Sequence, residues 1–297
     1  MAQIEERLEY WSTRSTLVIT RHVLLPHDAG EDPRWEKLYK MVYRYVDGVA
    51  HFAEPSVTEF NQRYAETAFI HGPPAHCVIP HHNYASLPNA VSRAEAREAL
   101  GISEKANVML AFGAIRNDAE RELIHDTFRR LRTPNKLLLV SRWREKLADV
   151  SWIRLKYWLR DLNRLYYRLH PRYHFNYGFV EEEDTQLYLN AADVLFIPRL
   201  HVLNSGNITL GMTFGKVVVG PDSLDVGHLL KTTGNVVFDP DRPETAAAAI
   251  EQAMELAREN RVGPANQKLA LSEWSADQCA DRYFEFYSKL IKAREHA

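Results

Sequence analysis

Short apolar segments alternate with longer segments of helical periodicity along almost the whole chain. The apolar segments are rich in β-branched and aromatic residues, which predicts strands at 16–20, 48–52, 76–80, 107–112, 136–140, 172–177, 193–197, 216–220 and 235–238. Helical spacing predicts helices at 34–46, 54–64, 118–131, 145–169, 183–190, 206–214, 243–260 and 275–293. A further helix is expected after Ser92, which forms a capping-box pattern with Glu95. Continuous apolar strands separated by helices predict parallel sheets that are covered on both faces.

The predicted elements divide the chain into two Rossmann-like α/β domains. Residues 1–88 hold three predicted strands and form an incomplete first domain with its linker, which lacks periodicity from Pro80 to Pro88. Residues 89–272 form the second domain, for which we expect a doubly wound parallel sheet of about six strands. The last helix, in residues 273–297, is expected to pack back on the first domain.

Composition and charge exclude several classes of protein. Lys and Arg number 37 against 39 Asp and Glu, and a net charge of −2 argues against a dedicated nucleic-acid binder. Only two cysteines occur, Cys77 and Cys279, which excludes a disulfide framework and suits a reducing cytoplasm. The first residues, MAQIEERLEYW, lack the apolar core of a signal peptide, and no window of about 18 apolar residues occurs. We therefore expect a cytoplasmic protein whose contact with any membrane is peripheral.

Candidate chemistry is expected at the carboxyl ends of the strands, where open parallel sheets bind their ligands. Four arginines follow predicted strands of the second domain and should share one rim: Arg116, Arg142, Arg144 and Arg199. The predicted helix that begins near Gly206 adds backbone N–H groups and a helix dipole to that rim, and both favour an anion. This pattern predicts a phosphate or diphosphate pocket, and the alternative is that the arginines are solvated loop residues.

Known phosphate and metal signatures do not fit. No G-x-G-x-x-G follows a predicted strand, which disfavours NAD, and residues 211–217 depart from a P-loop in spacing and in ending on Val217. Asp239 and Asp241 form only a short D-x-D pattern, so we expect no metal. The first half carries several loop histidines without zinc-ligand spacing, and they are either acid, base or phosphate-donor groups or structural residues. These histidines are His22, His27, His76, His81 and His82.

Three stretches resemble family-4 glycosyltransferases, which are retaining, nucleotide-sugar-dependent enzymes of the GT-B fold. VIPHHNYASLPNAVSRAEAREALGISEKANVMLAFGAIR (78–116) resembles their interdomain junction and the first strand of their second domain. FVEEEDTQLYLNAADVLFIPRLHVLNSGNITLGMTFGKVVVGP (179–221) resembles their donor-binding core, and TRHVLLPHD (20–28) resembles a histidine-containing stretch of their first domain. The similarity extends from about residue 16 to 255 and keeps the order of the motifs.

The resemblance implies a role for each matching residue. The resemblance implies that the donor is bound by Gly113, Arg116, Arg142, Ser205, Gly206 and Asn207. The rim pattern adds Arg199 to these donor-binding positions. His22 and His27 fall in the catalytic histidine stretch of the first domain. His81, His82 and Asn83 fall at the acceptor-side or interdomain junction. The implied reaction is retaining transfer of a sugar, of the hexosyltransferase type, without a metal or other cofactor, in glycan or polysaccharide biosynthesis.

The sequence also departs from that family. Ala119 occupies a position where members often carry lysine, and no acidic residue lies between Val202 and Gly211, where many carry paired glutamates. A non-catalytic GT-B-like subunit that binds nucleotide or glycan and supports a partner enzyme therefore stays open beside the enzyme. The first domain also resembles one that lacks its front strands, so we expect an oligomer or partner subunit to cover it.

The expected partners are a nucleoside diphosphate sugar and a glycan or lipid-linked acceptor. Residues 152–178 could contact a lipid-linked acceptor, because they carry six Lys and Arg against one Asp. Basic residues recur every fourth position from Lys156 to Arg168, beside an apolar face of leucines from Leu155 to Leu169. This segment is either a helix packed on its sheet or a surface that contacts anionic lipid at the inner membrane.

Overall fold

The computed structural model describes residues 1–26, 32–144 and 153–295. Within them, all strands lie in two parallel sheets. The strands are β1 Val18–Thr20, β2 Gly48–His51, β3 Ala75–Val78, β4 Asn107–Ala111, β5 Lys136–Val140, β6 Tyr173–Phe175, β7 Val194–Phe196, β8 Val217–Pro221 and β9 Val236–Phe238. The predicted strands are therefore confirmed, with ends that differ by no more than about two residues.

The strand order explains where a ligand can enter. The first sheet has the order β1-β2-β3, and the second has the order β6-β5-β4-β7-β8-β9. In the second sheet the chain runs outward from β4 through β6 and then returns to start again at β7, beside β4. The pair β4–β7 is thus the topological switch point, and a crevice opens there at the carboxyl ends of the strands. The predicted doubly wound sheet is confirmed.

Helices surround both sheets. They are α1 Ala2–Ser12, α2 Pro33–Tyr43, α3 Glu54–Arg63, α4 Arg93–Ala99, α5 Asp118–Arg130, α6 Ile153–Leu169, α7 Glu182–Ala191, α8 Gly206–Thr213, α9 Leu224–Thr232, α10 Ala246–Glu259, α11 Val262–Glu273 and α12 Ala276–Glu295. The capping box of Ser92 and Glu95 is present at the start of α4. The Ser275 hydroxyl accepts a hydrogen bond from the Gln278 N–H at the start of α12. Residues 145–152 of the predicted helix 145–169 lie outside the described residues.

The sequence analysis missed α9 and α11. Both helices contain residues that weaken a helical pattern: Gly227 in α9, and Gly263 with Pro264 at the start of α11. Gly227 is required by packing, because a Cβ there would lie 2.4 Å from the Asp222 carboxylate. Pro264 lies in the first turn, where its missing N–H removes no helical hydrogen bond.

The sheets are packed between helical layers. In the second domain, one apolar cluster lies on each face of the sheet. In the first domain, Tyr43 and Phe60 from α2 and α3 pack on one face, and Phe286 and Leu290 from α12 pack on the other. No helix in the described parts of the chain is both long enough and apolar enough to cross a membrane.

Candidate functional site

A cleft of about 740 Å³ lies between the two domains at the carboxyl ends of β1, β4 and β7. Its first-domain wall is the segment from His22 to Leu25, which follows β1 directly. Its second-domain walls lie within 116–123, after β4, and within 198–203, after β7. The switch point of the second sheet and the end of the first sheet thus open into one space.

Two of the four predicted rim arginines line this cleft. Arg116 and Arg199 come from the loops after β4 and β7. Burial, and then the nearby charge of Arg199, lower the pKa of the Arg116 guanidinium. Two cations held close together in a partly buried site favour an anionic ligand.

The other two rim arginines lie outside the cleft lining. The Arg144 guanidinium donates a hydrogen bond to the Arg116 carbonyl, so the loop after β5 braces the loop after β4. Arg142 lies in the same β5 loop and is exposed. The structure therefore places Arg142 and Arg144 in the neighbouring β5 loop, outside the residues that line this cleft.

Glu120 is a site residue that the sequence analysis did not identify. One of its carboxylate oxygens accepts a hydrogen bond from the Arg116 N–H at 2.8 Å, and the other lies 3.4 Å from Arg199 Nε. The only sequence signal is a capping pattern, because the Asn117 side chain accepts from the Glu120 N–H at the start of α5. That pattern predicts a helix start, but it does not predict a carboxylate between two arginines.

The N-terminus of α8 stands beside Arg199. The Ser205 hydroxyl accepts a hydrogen bond from Arg199 at 3.2 Å, and within the described chain no side-chain oxygen caps α8. The N–H groups of the first turn and the positive end of the helix dipole favour a negatively charged group there. The linker packs closely against this point, because a Cβ on Gly206 would lie 2.8 Å from the Tyr84 hydroxyl.

Gly113 and Asn207 lie where the loop after β4 meets the start of α8. Gly113 has φ +89°, a left-handed conformation that favours glycine, and its N–H donates to the Ser141 hydroxyl at 2.8 Å. The Asn207 side chain donates to the Phe112 carbonyl at 2.8 Å. A Cβ on Gly113 would meet no other atom within 4 Å, so the backbone of this loop is open to a ligand.

One of the two predicted catalytic histidines, His22, lies in the first-domain wall. His22 is exposed in the cleft, its ring packs edge-on against Phe52 at 5.0 Å, and its carbonyl accepts a hydrogen bond from Asn204 of the second domain. His27 lies outside the described residues. His22 is therefore oriented by contacts from both domains.

Of the junction residues, His81 lies beside the site, and His82 and Asn83 make hydrogen bonds to backbone carbonyls. His81 stacks on Tyr84 and lies beside the start of α8, and burial lowers the pKa of its imidazole. The His82 ring donates to the Asn83 carbonyl at 2.7 Å. Asn83 is buried, and its side chain donates to the Ala270 carbonyl at 2.9 Å, so it ties the linker to α11. His81 borders the site, whereas Asn83 holds the linker in place.

A second contact between the domains was also missed. Asp225 of α9 is fully buried, and its carboxylate accepts a hydrogen bond from the Ser56 N–H at 2.9 Å. Ser56 lies in the first turn of α3, whose own N-cap residue, Ala53, provides no side-chain acceptor. A side chain of the second domain therefore caps a helix of the first.

The described residues contain no group of three or more His, Cys, Asp or Glu side chains arranged to hold a metal ion. Asp239, one half of the D-x-D pattern, pairs with Arg242 at 2.7 Å instead. The charges in the cleft come from arginines, from Glu120 and from the end of a helix.

The chain has the GT-B glycosyltransferase fold, which the resemblance predicted. Solved structures of that class match nearly its whole length, at identities that establish the fold alone. Sucrose-phosphate synthase from Thermosynechococcus elongatus is 18% identical, with a TM-score of 0.68 over 93% of this chain and 68% of that one. HepE from Anabaena is 16% identical, with a TM-score of 0.68 over 96% and 77%. α,α-Trehalose 6-phosphate synthase from Burkholderia multivorans is 14% identical, with a TM-score of 0.67 over 98% and 69%. No family model and no curated protein sequence matches the chain.

Proposed function

We propose that this protein transfers a sugar from a nucleoside diphosphate sugar to an acceptor hydroxyl, with retention and without a metal. The observation that carries the proposal is the convergence of Arg116, Arg199 and the start of α8 on one interdomain cleft. Among structures of the same fold, HepE from Anabaena was crystallised with UDP and with UDP-glucose. A diphosphate is the ligand that suits two arginine forks and a helix N-terminus.

In this mechanism the bond between the anomeric carbon and the phosphate oxygen breaks, and its electrons leave with the diphosphate. Arg116, Arg199 and the dipole of α8 stabilise the negative charge that develops there. The acceptor oxygen forms the new bond to the anomeric carbon on the same face of the sugar, and its proton passes to the departing phosphate oxygen. Glu120 pairs with Arg199, and we expect the diphosphate to replace it as the partner of that arginine.

Apolar side chains line both walls of the cleft. Leu24 and Leu25 lie in the first-domain wall, and Leu200 and Leu203 lie in the second-domain wall. His22 adds the one titratable group from the first-domain wall among the described residues. Apolar walls favour an acceptor with an apolar part, so of the two expected classes we propose the lipid-linked acceptor rather than a free glycan.

Nucleotide binding is tested by thermal denaturation with the diphosphates of uridine, guanosine and adenosine. A ligand at about 100 times its dissociation constant stabilises a protein by ~2.7 kcal/mol, so one of the three should raise the melting temperature clearly. We expect Arg199→Ala and Arg116→Ala to reduce that shift. Arg130→Ala removes an exposed arginine at the other end of α5 and should leave it unchanged. The absence of a shift with all three nucleotides would refute the site.

Metal independence has its own test. We expect turnover of the sugar donor to persist in EDTA, since arginines and a helix dipole supply the positive charge. Activity that EDTA abolishes and manganese restores would contradict this part of the proposal.

A non-catalytic nucleotide-binding subunit is the second candidate. It is favoured by Glu120, which partly neutralises Arg199, and by the lack of acidic residues between Val202 and Gly211. The two candidates differ in turnover rather than in binding. A nucleotide that stabilises the protein while no nucleotide sugar is hydrolysed or transferred would favour the subunit.

A further inference from the structure

Helix α6 turns its apolar face away from the protein. Trp158, Leu162, Leu165 and Leu169 follow one another at spacings of four, three and four residues, so they form one stripe along the helix. Their exposed fractions lie between 43% and 73%. From Tyr157 to Leu169 no side chain of α6 is buried. Amphipathic helices of globular proteins normally direct such a stripe at the core, so this one requires another partner.

The opposite face of α6 holds the helix to the second domain. The Tyr167 hydroxyl lies 3.1 Å from His125 Nε2, and its ring packs on Phe175 at 4.8 Å between centroids. The Arg164 guanidinium stacks over the Tyr177 ring at 4.7 Å. These contacts set the rotation of the helix. The alternative that the leucine face packs on the sheet is therefore wrong for Leu162, Leu165 and Leu169.

Positive charge accompanies the exposed stripe. Among the described side chains of this segment, four arginines stand against the single acid Asp161, which pairs with Arg160. Arg168 and Arg172 are exposed, and Trp158 and Tyr166 are exposed by more than half. Aromatic rings prefer the boundary between lipid and water, and basic side chains bind anionic head groups. We infer that α6 is a docking surface for an anionic lipid bilayer, with its leucine stripe immersed and with Arg168 and the following Arg172 at the head groups.

A second copy of the chain is a poorer occupant of this face. In a symmetric dimer the same surface occurs on both sides of the interface, so the arginines of one α6 would face those of the other. Juxtaposed like charges oppose association, whereas an anionic bilayer satisfies both the apolar stripe and the cations. The inference does not depend on the proposed transfer reaction, because it rests on the surface of α6 alone.

Co-sedimentation of the full chain with vesicles tests the inference. We expect binding to phosphatidylcholine vesicles that contain phosphatidylglycerol, weaker binding to phosphatidylcholine alone, and release at high salt. The variant Leu165→Gln/Leu169→Gln should lose most of the binding. Phe284→Gln is the matched control, because Phe284 is 72% exposed on α12 and the change removes a similar apolar surface elsewhere.

Charge and insertion are measured separately. Arg168→Gln/Arg172→Gln should weaken partitioning into anionic vesicles about 30-fold, since each cation near such a surface contributes about fivefold. Brominated lipid should quench the tryptophan fluorescence of the native protein. Trp158→Phe should remove the contribution of Trp158 to that quenching. Trp158 lies on the proposed immersed stripe, and quenching from elsewhere would survive its substitution.

Several outcomes would overturn the inference. These are equal sedimentation with neutral and anionic vesicles, or unchanged binding of the leucine and arginine variants. Loss of binding in Phe284→Gln with retention in Leu165→Gln/Leu169→Gln would move the surface to α12. Light scattering that shows a native dimer dissociated by Leu165→Gln/Leu169→Gln, without vesicle binding, would assign the face to a second copy.

Discussion

The two sheets of this protein acquire their cores in different ways. In the second domain, β4, β5, β7 and β8 are buried, and the helices that cover them come from the same stretch of chain. In the first domain only β2 is fully buried, and one face of the sheet is closed by α12 from the far end of the chain. The comparison shows that the second domain completes its own core, whereas the first depends on a distant helix.

A buried arginine in each domain extends this comparison. In the second domain, the Arg97 side chain is fully buried, donates to three backbone carbonyls at 2.8–3.0 Å, and pairs with Asp193 at 3.0 Å. In the first domain, Arg21 is equally buried and pairs with Glu59. Arg21 donates to the Ser56 carbonyl, but its Nε has no hydrogen-bond partner among the described residues. The polar interior of the second domain is thus better satisfied than that of the first.

The largest effect is expected from α12. Phe286 is 6% exposed and packs against the first sheet, so Phe286→Ala should lower the free energy of unfolding by ~3–5 kcal/mol. Hydrogen exchange should accelerate in β1, β2 and β3 more than in the second sheet, because the lost contacts belong to the first domain.

Phe284→Ala is the matched control for α12. Phe284 lies two residues away on the exposed side of the helix, and its removal should change stability by no more than ~0.5 kcal/mol. Equal acceleration of exchange in both sheets of Phe286→Ala would show that the domains unfold as one unit. The contrast between their cores would then have no energetic consequence.

The next largest loss of stability is expected when the acidic partners of the two buried arginines are replaced. Asp193→Ala leaves the Arg97 guanidinium buried without its carboxylate and should lower the free energy of unfolding by ~3–5 kcal/mol. Glu59→Gln should lower it by only ~1–3 kcal/mol, because the amide still offers Arg21 an acceptor. Urea denaturation of both variants measures the difference. A larger loss in Glu59→Gln would reverse the ranking of the two interiors.

Asp225 couples the domains through its ionisation. Burial raises the pKa of Asp225 from 3.8 to about 7, against the opposing effects of the hydrogen bond from Ser56 and the charge of Arg21, while Glu59 reinforces the rise. The native state therefore holds this proton to higher pH than the unfolded chain does, and ionisation weakens the fold as pH rises from about 4 to about 7.

Asp225→Asn keeps an acceptor for the Ser56 N–H but cannot ionise. Its stability relative to the native protein should rise by about 1.4 kcal/mol for each pH unit across that window and stay constant above it. Urea denaturation of both proteins at a series of pH values measures the difference, in which the titration of other groups cancels. A difference that does not change with pH would show that Asp225 does not carry the coupling.

Much of the architecture was predictable because it depends on local pattern. Apolar runs and capping residues such as Ser92 predict strands and helix starts from neighbours a few positions away. The common edge of parallel strands predicted four arginines on one rim, and two of them, Arg116 and Arg199, line the cleft. Helices α9 and α11 were missed because glycine and proline interrupt their local signals.

The remaining site residues depend on distant parts of the chain. Glu120 faces Arg199 across 79 positions, and Asp225 caps a helix 169 positions earlier. Neither partner carries a signal of the other in the sequence. The direction of the α6 leucine stripe is likewise set by Tyr167 and Arg164 against aromatic rings of the second domain.

The sequence by itself determined the strands, most of the helices, the doubly wound second domain and the presence of arginines at its carboxyl edge. These properties follow from backbone preferences and from the periodicity of side chains, which act over one or two helical turns. Only the tertiary structure decided which arginines face the cleft, which carboxylate neutralises them, what covers the first sheet and which face of α6 stays exposed. The reason is physical: burial and charge pairing belong to contacts between residues far apart in the chain, and those contacts exist only once both domains have packed.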